Sequence, residues 1–453
     1  MRLSPPVHFV GISGIGMSAL ARVLLARGLA VSGSSDQQTP LTDALAGEGA
    51  RVSIGHAAAN LAGARTLVAS SAIAPDNPEL TAARARAIPI VRRGALLAEL
   101  MAPARGVAIA GTHGKTTATA MIAAVLEAGD LDPTVVLGGE LVEGGQNARV
   151  GASRWFVAES DESDGSFLDL QAEIAIVTNV ENDHVASDEE MPRLEAAFER
   201  FLANLPTNGL AIVGTDDVRA ARLAKRQRAA RTRTFGFSSA DIVARNPRYA
   251  DFGSRFEVEV DGRMLGEIAL CVPGAINVLD ALPAIALAGE LDIPFERVRA
   301  GLGRFQGVRR RFQIMGRGAQ MTVVDDYAHH PTAVAATLAA ARANWGGPIV
   351  VAFQPHRYSR TRYLAAEFAR ALAGAELVVL APIYAASEPP LDGVDARSIG
   401  EPLARAGTSV TYASSVEDVP DCVRAIAPPG SLVLCLGAGT ITLAARTLGA
   451  ALV

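Results

Sequence analysis

The sequence predicts an α/β protein with three domains, each built on a sheet covered by helices. The chain of 453 residues is too long for one ordinary hydrophobic core. Short apolar runs alternate with amphipathic helical stretches, a pattern typical of parallel sheets. Two glycine-rich loops follow predicted strands and precede predicted helices, an arrangement that commonly binds phosphate groups.

The predicted elements fall into three groups along the chain. The first group has strands at "VHFVGI", "LAVSGS", "ARVSIG", "TLVASSAI" and "IPIVRR", and it ends at a linker, "MAPARG". The second has strands at "VAIAG", "RWFVAES", "IAIVTNV" and "GLAIVG", a β-rich segment at "RFEVEVDGRMLGEIALCV", and helix over 277–303. The third has strands at "MTVVDDY", "PIVVAFQ", "LVVLAPI" and "SLVLCLG". We therefore expect domains of residues 1–103, 104–308 and 309–453.

The composition excludes several classes of protein. A net charge of −5 gives no support for a nucleic-acid-binding surface. The three cysteines, Cys271, Cys422 and Cys435, are odd in number and widely spaced, which fits a reducing compartment better than a disulfide framework. No run of about 18 uncharged apolar residues occurs, so no membrane span is expected. We expect a cytoplasmic protein, monomeric or homodimeric, without a nucleic-acid partner.

The first glycine-rich loop, "GISGIG", places Gly11, Gly14 and Gly16 between a strand and a helix. Ser13 occupies the middle glycine position of the dinucleotide fingerprint, so the glycine order differs from G-x-G-x-x-G. The loop can still present N–H groups to a pyrophosphate, and Asp36 could accept from a sugar hydroxyl. These residues alone leave open NAD, another diphosphate nucleotide and a purely structural turn.

The second loop, "GTHGKTT", is a shortened phosphate-binding loop. Ile109 stands where the first glycine of G-x-x-x-x-G-K-[ST] belongs. Lys115 can still reach the β- and γ-phosphates of ATP, and Thr116 can contact Mg²⁺. Only Lys115 and Lys225 are lysines among the 42 basic residues, and a compact ammonium fits a phosphate loop that a guanidinium would overfill.

Acidic side chains follow the next two strands, in "VAESDESDGSF" and "TNVENDHV". Crowded carboxylates repel one another, so a cation is their natural partner, and a solvated acidic turn is the alternative. Carboxyl ends of neighbouring parallel strands meet in one crevice, which favours a site. The side chains concerned are Glu159, Asp161, Glu162, Asp164, Glu181, Asp183 and His184.

Arginines and histidines accompany the third group of strands, in "GVRRRF", "DDYAHHPT" and "FQPHRYSRT". Such residues suit recognition of a carboxylate or phosphate. Arg357 and Arg360 are three apart, so on one helical turn both could face the same ligand. A solvated arginine cluster and a metal site made by three histidines are the alternatives. The residues are Arg309, Arg310, Arg311, Asp325, Asp326, Tyr327, His329, His330, His356, Arg357 and Arg360.

Together these motifs resemble those of the Mur ligase family, in the family's order and across nearly the whole chain. The resemblance implies an N-terminal Rossmann-like domain for a UDP sugar, a central P-loop ATPase sheet, and a C-terminal Rossmann-like domain for an amino acid. It implies an enzyme that uses ATP and Mg²⁺ to phosphorylate the lactyl carboxylate of UDP-N-acetylmuramate. L-Alanine then attacks the acyl phosphate, in peptidoglycan precursor synthesis. NAD is no longer expected.

The resemblance also assigns roles to residues at matching positions. The implied catalytic residues are Lys115, Glu159, His184, Arg311 and Asp326, with Thr116, Glu159 and His184 as Mg²⁺ ligands. The implied ATP-binding residues are Gly111, Thr112, His113, Gly114, Lys115, Thr116, Thr117 and Asn277. Those implied for the UDP sugar are Gly11, Ser13, Gly14, Ile15, Gly16, Asp36, Ser70 and Ser71. Those implied for the amino acid are Tyr327, His329, His356, Arg357 and Arg360.

The chain departs from the family pattern in two places. Ile276 and Asp280 replace a histidine and an asparagine that lie near the adenine in the family, and Ala186 replaces a carboxylate. Ile276 and Asp280 leave open a catalytically silent UDP-sugar-binding protein. The closest rival enzyme is a murein-peptide ligase, which joins a whole peptide to the same UDP sugar. The intact "DDYAHHPT" and "QPHRYSRT" favour addition of a single alanine.

Overall fold

A computed structural model of the chain describes residues 3–70, 72–162, 165–182, 190–228 and 230–452. Within these residues the strands form three sheets, of five, ten and six strands. Helices join most of the parallel strands, so the predicted α/β class with three sheet-based units is confirmed. Among the described helices, none combines the length and the apolar character needed to cross a membrane.

The N-terminal unit is a parallel sheet with the order β3-β2-β1-β4-β5. Its elements are β1 (Val7–Val10), α1 (Ile15–Ala26), β2 (Val31–Ser35), α2 (Pro40–Gly47), β3 (Arg51–Ile54), a 3₁₀ helix (Ala58–Leu61), β4 (Thr66–Ala69), α3 (Pro78–Ala85), β5 (Ile90–Arg92) and α4 (Arg93–Met101). The strand order reverses at β1, so the first glycine-rich loop lies at the switch point where α/β sheets bind ligands.

The central unit contains the ten-stranded sheet, with the order β15-β14-β13-β12-β11-β10-β6-β9-β7-β8. Its elements are β6 (Arg105–Ala110), α5 (Lys115–Ala128), β7 (Thr134–Val136), β8 (Ala148–Arg149), β9 (Trp155–Glu159), a 3₁₀ helix (Ser166–Asp169), β10 (Ile174–Val177), α6 (Met191–Ala203), β11 (Leu210–Gly214), α7 (Val218–Arg226), β12 (Arg231–Gly236), β13 (Ile242–Ala250), β14 (Gly253–Val260), β15 (Arg263–Leu270), α8 (Ala275–Glu290) and α9 (Phe295–Arg304). Strand β6 lies between β9 and β10 and pairs with both in parallel. The phosphate loop, residues 111–117, therefore begins at a second switch point.

The C-terminal unit is a six-stranded sheet with the order β16-β17-β21-β18-β19-β20. Its elements are β16 (Gln313–Arg317), β17 (Met321–Asp326), α10 (Pro331–Asn344), β18 (Ile349–Phe353), α11 (Tyr358–Leu372), β19 (Leu377–Leu380), α12 (Arg397–Arg405), β20 (Ser409–Tyr412), α13 (Val419–Ile426), β21 (Ser431–Leu436) and α14 (Thr442–Ala450). All pairings are parallel except that of β16 with β17.

Several elements differ from the sequence prediction. Helix α4 extends to Met101 and β6 begins at Arg105, so the linker predicted at "MAPARG" is only three residues long. Strands β7, β8, β12, β13, β16 and β20 were not predicted. Strand β12, "RTRTFG", illustrates the reason, because its arginines and threonines break the apolar run that marks a buried strand.

Strand β6 is buried on both faces. Val107 and Ile109 point into the core formed with α5 and α8, whereas Ala108 and Ala110 join a second core that extends into the N-terminal unit. A strand covered on both faces is the expected centre of a parallel sheet. The phosphate loop therefore leaves from a strand that is enclosed on both faces.

Candidate active site

The phosphate loop turns through two glycines that have positive φ angles. Gly111 has φ 137° and Gly114 has φ 81°. A Cβ at Gly111 would overlap the hydroxyl of Thr178, and a Cβ at Gly114 would overlap the carboxyl of Asp280. Only glycine fits at either position, since both the backbone conformation and the available space exclude a side chain.

Lys115 is the first residue of α5, and its side chain folds back over the loop. Its Nζ donates to the carbonyl oxygens of Gly111 (2.5 Å) and Thr112 (3.2 Å) and pairs with Glu162 at 3.0 Å. Burial alone would lower the pKa of Lys115, but the charges of Glu162 and Glu159 raise it. Burial raises the pKa of Glu162 to about 7, although Lys115 opposes this shift. The ammonium is therefore held charged beside the loop.

A pocket extends from the phosphate loop to the C-terminal unit; we call it the central pocket. Most residues predicted for ATP line it: Thr112, His113, Gly114, Lys115, Thr116, Thr117 and Asn277, together with Glu159, Arg311, Asp326 and His329. Ile276 and Asp280 line it as well. Residues that the sequence did not predict complete the wall: Pro273, Phe312, Ala333, Ala336, Thr337 and Ala340. The spacing of the three alanines on α10 is the signal that could have predicted this wall.

Two buried carboxyls face Arg311 in the central pocket. Burial raises the pKa of Asp280 well above its usual range, and Arg311 opposes that shift. Burial also raises the pKa of Asp326, against Arg311 and the backbone N–H groups of Phe312 and Ala328. Asp326 accepts from each of these N–H groups at 2.8 Å. It therefore fixes the backbone turn that carries Arg311 into the pocket.

A second pocket, the amino-terminal pocket, lies between the first glycine-rich loop and the central unit and has a volume of about 310 Å³. The predicted UDP-sugar residues Gly11, Gly14, Ile15, Gly16 and Ser70 line it. Ser13 instead accepts a hydrogen bond from Ser35 at 2.8 Å, and Asp36 lies outside the lining. Ser71 lies outside the described residues. The sequence did not predict other lining residues, which include Arg93 and Gly138.

Asp36 belongs to a polar network on the N-terminal unit. Its carboxylate is 3.0 Å from Nε2 of His56, whose Nδ1 lies 2.9 Å from the Ser34 hydroxyl. Glu79 is fully buried beneath them. Burial would raise the pKa of Glu79, but hydrogen bonds from His8, Ser34 and Asn60 lower it to about 2. The network therefore fixes His56 next to Asp36, although the sequence reasoning did not select His56.

Glu159 lines both pockets. It ends β9, and its Oε2 accepts from the backbone N–H of Gly138 at 2.8 Å. Its carboxylate and the Thr116 hydroxyl are oxygen donors of the kind that Mg²⁺ prefers. The residues present therefore fit the predicted Mg²⁺ site. The third predicted ligand, His184, lies outside the described residues, as do Asp164 and Asp183.

The predicted amino-acid residues lie near one another at the edge of the C-terminal sheet. The rings of Tyr327 and His329 are 5.1 Å apart, and those of His329 and His356 are 5.7 Å apart. Arg360 is 8% exposed, and its Nη1 is 3.3 Å from Nδ1 of His356. Tyr384, which the sequence reasoning missed, stacks on His356 at 5.5 Å. The group combines aromatic rings with a buried cation.

Arg357 differs from the expectation based on spacing. It precedes the first residue of α11 and has φ 71°, so it does not share a helical turn with Arg360. Its side chain is exposed, whereas that of Arg360 is buried. The argument from i, i+3 spacing is therefore wrong for this pair, and the role of Arg357 in amino-acid binding stays a prediction.

The histidines of "DDYAHHPT" point in different directions. His329 faces His356, but the His330 ring lies 5.3 Å from that of His113 on the phosphate loop. Among the described residues, His329, His330 and His356 do not form a metal-binding group. The potential ligand atoms that lie within 4.8 Å of one another belong instead to His113, Glu181 and His330.

Comparison with known proteins adds independent observations. Three family profiles match in succession: "Mur ligase family, catalytic domain" over residues 6–105, "Mur ligase middle domain" over 109–288, and "Mur ligase, glutamate ligase domain" over 310–439. The UDP-N-acetylmuramate–L-alanine ligase of Geotalea uraniireducens is 46% identical over 444 residues, which cover 98% of this chain and 97% of that protein. The chain belongs to the Mur ligase family.

Solved structures agree with this membership. The UDP-N-acetylmuramate–alanine ligase of Thermotoga maritima is 30% identical, covers 98% of this Mur ligase and 97% of its own chain, and has a TM-score of 0.84. A murein peptide ligase from Psychrobacter arcticus covers 98% of both chains with a TM-score of 0.73 at 22% identity, which supports the fold alone. The predicted family and the three-domain α/β fold are confirmed.

Replacing Lys115 by arginine tests the fit of the phosphate loop. The ammonium lies among two carbonyl oxygens and Glu162, so a planar guanidinium has no equivalent place there. We expect Lys115→Arg to lower the rate of ADP release by two to four orders of magnitude, roughly the 3–5 kcal/mol of one electrostatic contact in a transition state. The assay contains ATP, UDP-N-acetylmuramate and L-alanine, the substrates that the sequence predicts.

Lys225→Arg is the matched control, because Lys225 is exposed on α7. Its rate should equal that of the unmodified protein. A Lys115→Arg rate within a few-fold of the unmodified protein would contradict the steric explanation.

Proposed function

We propose that this Mur ligase joins L-alanine to the lactyl carboxylate of UDP-N-acetylmuramate, with conversion of ATP to ADP and phosphate, in peptidoglycan synthesis. Relatives that match nearly the whole chain at 44–46% identity carry the name of this activity. The family-wide use of ATP agrees with the residues of the central pocket. The proposal makes the enzyme an ATP-dependent acid–amino-acid ligase.

The position of Glu159 carries this proposal. A triphosphate at the phosphate loop and a diphosphate at the first glycine-rich loop would occupy pockets that share this one carboxylate. The muramoyl carboxylate and the γ-phosphate are both negatively charged, so they repel unless positive charge lies between them. Mg²⁺ at Thr116, Glu159 and the predicted His184 supplies that charge when it is bound.

The residues of the chain then position the reacting groups. Lys115, held charged by Glu162, stabilises the γ-phosphoryl group as a carboxylate oxygen attacks phosphorus and ADP leaves. The amine of L-alanine attacks the carbonyl carbon of the acyl phosphate and loses a proton, and the bond from carbon to the phosphate oxygen breaks. The protein needs no nucleophile of its own for this chemistry, because orientation and charge neutralisation supply the rate enhancement.

The group around Arg360 supplies the site for the amino acid in this proposal. A buried guanidinium binds a carboxylate through charge-assisted hydrogen bonds, and His356, flanked by the rings of His329 and Tyr384, lies beside it. His329 also lines the central pocket. The amine of a bound alanine would therefore lie on the side of the group nearest the phosphates.

We also propose the domain limits 1–103, 104–308 and 309–453. The limit at residues 103 and 104 falls between α4 and β6, and the limit at residues 308 and 309 falls between α9 and β16. Both lie in connections that join one sheet to the next. Cytoplasmic location and a monomeric or homodimeric state complete the proposal.

Purified enzyme with ATP, Mg²⁺ and UDP-N-acetylmuramate tests the choice of amine. We expect ADP release to require L-alanine and to yield one ligated product per ADP, identified by mass spectrometry. A free cell-wall tripeptide should not replace L-alanine, because the relatives that match nearly the whole chain are named for L-alanine addition. Faster turnover with the tripeptide would assign the chain to peptide ligation, and turnover with neither amine would indicate a UDP-sugar-binding protein.

Arg360→Ala tests the amino-acid site. Removing one charge-assisted contact costs about 1.5–3 kcal/mol, so the KM for L-alanine should rise roughly 10–100-fold. The KM values for ATP and the UDP sugar should change little, because neither pocket is lined by Arg360.

The control is Arg362→Ala, since Arg362 is an exposed arginine on the same helix. It should leave all three KM values unchanged. A selective rise in the KM for ATP in Arg360→Ala would place this arginine at the phosphates, and a parallel rise in all three would indicate a structural role.

A further inference from the structure

One group of potential metal ligands lies outside the predicted Mg²⁺ site. It consists of His113 on the phosphate loop, Glu181 after β10, and His330 before α10. One ligand atom from each residue lies within 4.8 Å of the others. His113 Nε2 is 3.2 Å and His330 Nδ1 is 3.9 Å from Glu181 Oε2. We propose that these residues bind a divalent transition-metal ion, with Zn²⁺ as the best match, and that the ion joins the central and C-terminal units.

The donor set favours Zn²⁺ over Mg²⁺. Two imidazoles and one carboxylate form a known zinc ligand set, whereas Mg²⁺ prefers oxygen ligands. With zinc–ligand bonds of about 2.0–2.2 Å in tetrahedral geometry, neighbouring ligand atoms stand about 3.4 Å apart. Two of the three separations, 3.2 and 3.9 Å, lie near that value and the third is within 4.8 Å, so side-chain movements would complete the site. Water would fill the fourth position.

The backbone at two of the ligands is fixed. The N–H of His113 donates to Asn179 at 2.8 Å, and its carbonyl oxygen accepts from Thr178 at 2.6 Å. The N–H of Glu181 donates to the Thr112 hydroxyl at 2.8 Å. Preorganised ligands bind a metal without the entropy cost of ordering a loop.

The third ligand comes from the other unit. His330 caps α10 and is 7% exposed, and its carbonyl oxygen accepts from the N–H of Val334 at 2.9 Å. Glu181 lies between the two units, since its Oε2 is 3.2 Å from Nε2 of His113 in the central unit and 3.9 Å from Nδ1 of His330 in the C-terminal unit. A metal at this point would replace a set of hydrogen bonds by stronger bonds between the same units. It would hold α10, one wall of the central pocket, against the phosphate loop.

The proposal is tested by Zn²⁺ titration of metal-free, nucleotide-free enzyme in competition with a chromophoric chelator. We expect one equivalent to bind, with no competition from Mg²⁺. Glu181→Gln and His330→Gln should each weaken binding at least about 100-fold, more than the 10–100-fold cost of changing an outer-shell partner. Co²⁺ added to the unmodified enzyme should give the strong visible absorption of a four-coordinate site.

Two control variants separate this site from its neighbours. Glu159→Gln removes a ligand of the predicted Mg²⁺ site, and His329→Gln removes the adjacent histidine that faces His356. Both should keep the Zn²⁺ affinity of the unmodified enzyme. Loss of affinity in either control, equal affinity in all variants, or absence of stoichiometric binding to the unmodified enzyme would overturn the proposal. If Glu181→Gln or His330→Gln does not fold, the Co²⁺ spectrum of the unmodified enzyme still tests the proposal.

Discussion

The backbone of the phosphate loop passes so close to Thr178 and Asp280 that neither Gly111 nor Gly114 can carry a side chain. This contact fixes the loop from two sides, because Thr178 follows β10 and Asp280 lies on α8. The loop leaves β6, which is buried on both faces and cannot shift without disturbing two cores. The position of Lys115 at the start of α5 is a consequence of this constraint.

The three units contribute different chemistry to the space around that loop. The N-terminal unit offers glycine N–H groups, the central unit a lysine and carboxylates, and the C-terminal unit arginines and histidines. Most of these side chains follow the carboxyl ends of parallel strands, which is where α/β sheets bind ligands, whereas Arg311 precedes β16. Glu159 belongs to both pockets and therefore defines where two anionic substrates would meet. A reaction between two anions needs such a shared, charge-balanced position.

Short-range patterns predicted much of this arrangement. Both glycine-rich loops, the acidic strand end at Glu159 and the buried strands were identified because glycine spacing and apolar runs are local signals. Six residues of the central pocket wall, on α10 or in turns beside α8 and β16, were not predicted, because distant parts of the chain bring them together only on folding. The same holds for His56 in the N-terminal unit, because its position depends on buried Glu79, 23 residues away. Arg357 shows the opposite error, since its neighbour Tyr358, and not Arg357 itself, begins the helix.

The central claim is that the γ-phosphoryl group is transferred to the muramoyl carboxylate before the amine attacks. The most direct test uses UDP-N-acetylmuramate with both lactyl carboxylate oxygens labelled with ¹⁸O, together with ATP, Mg²⁺ and L-alanine. Transfer through an acyl phosphate leaves one labelled oxygen in each phosphate released, and mass spectrometry of the phosphate measures it. Phosphate that carries no label while the amide forms would contradict the account.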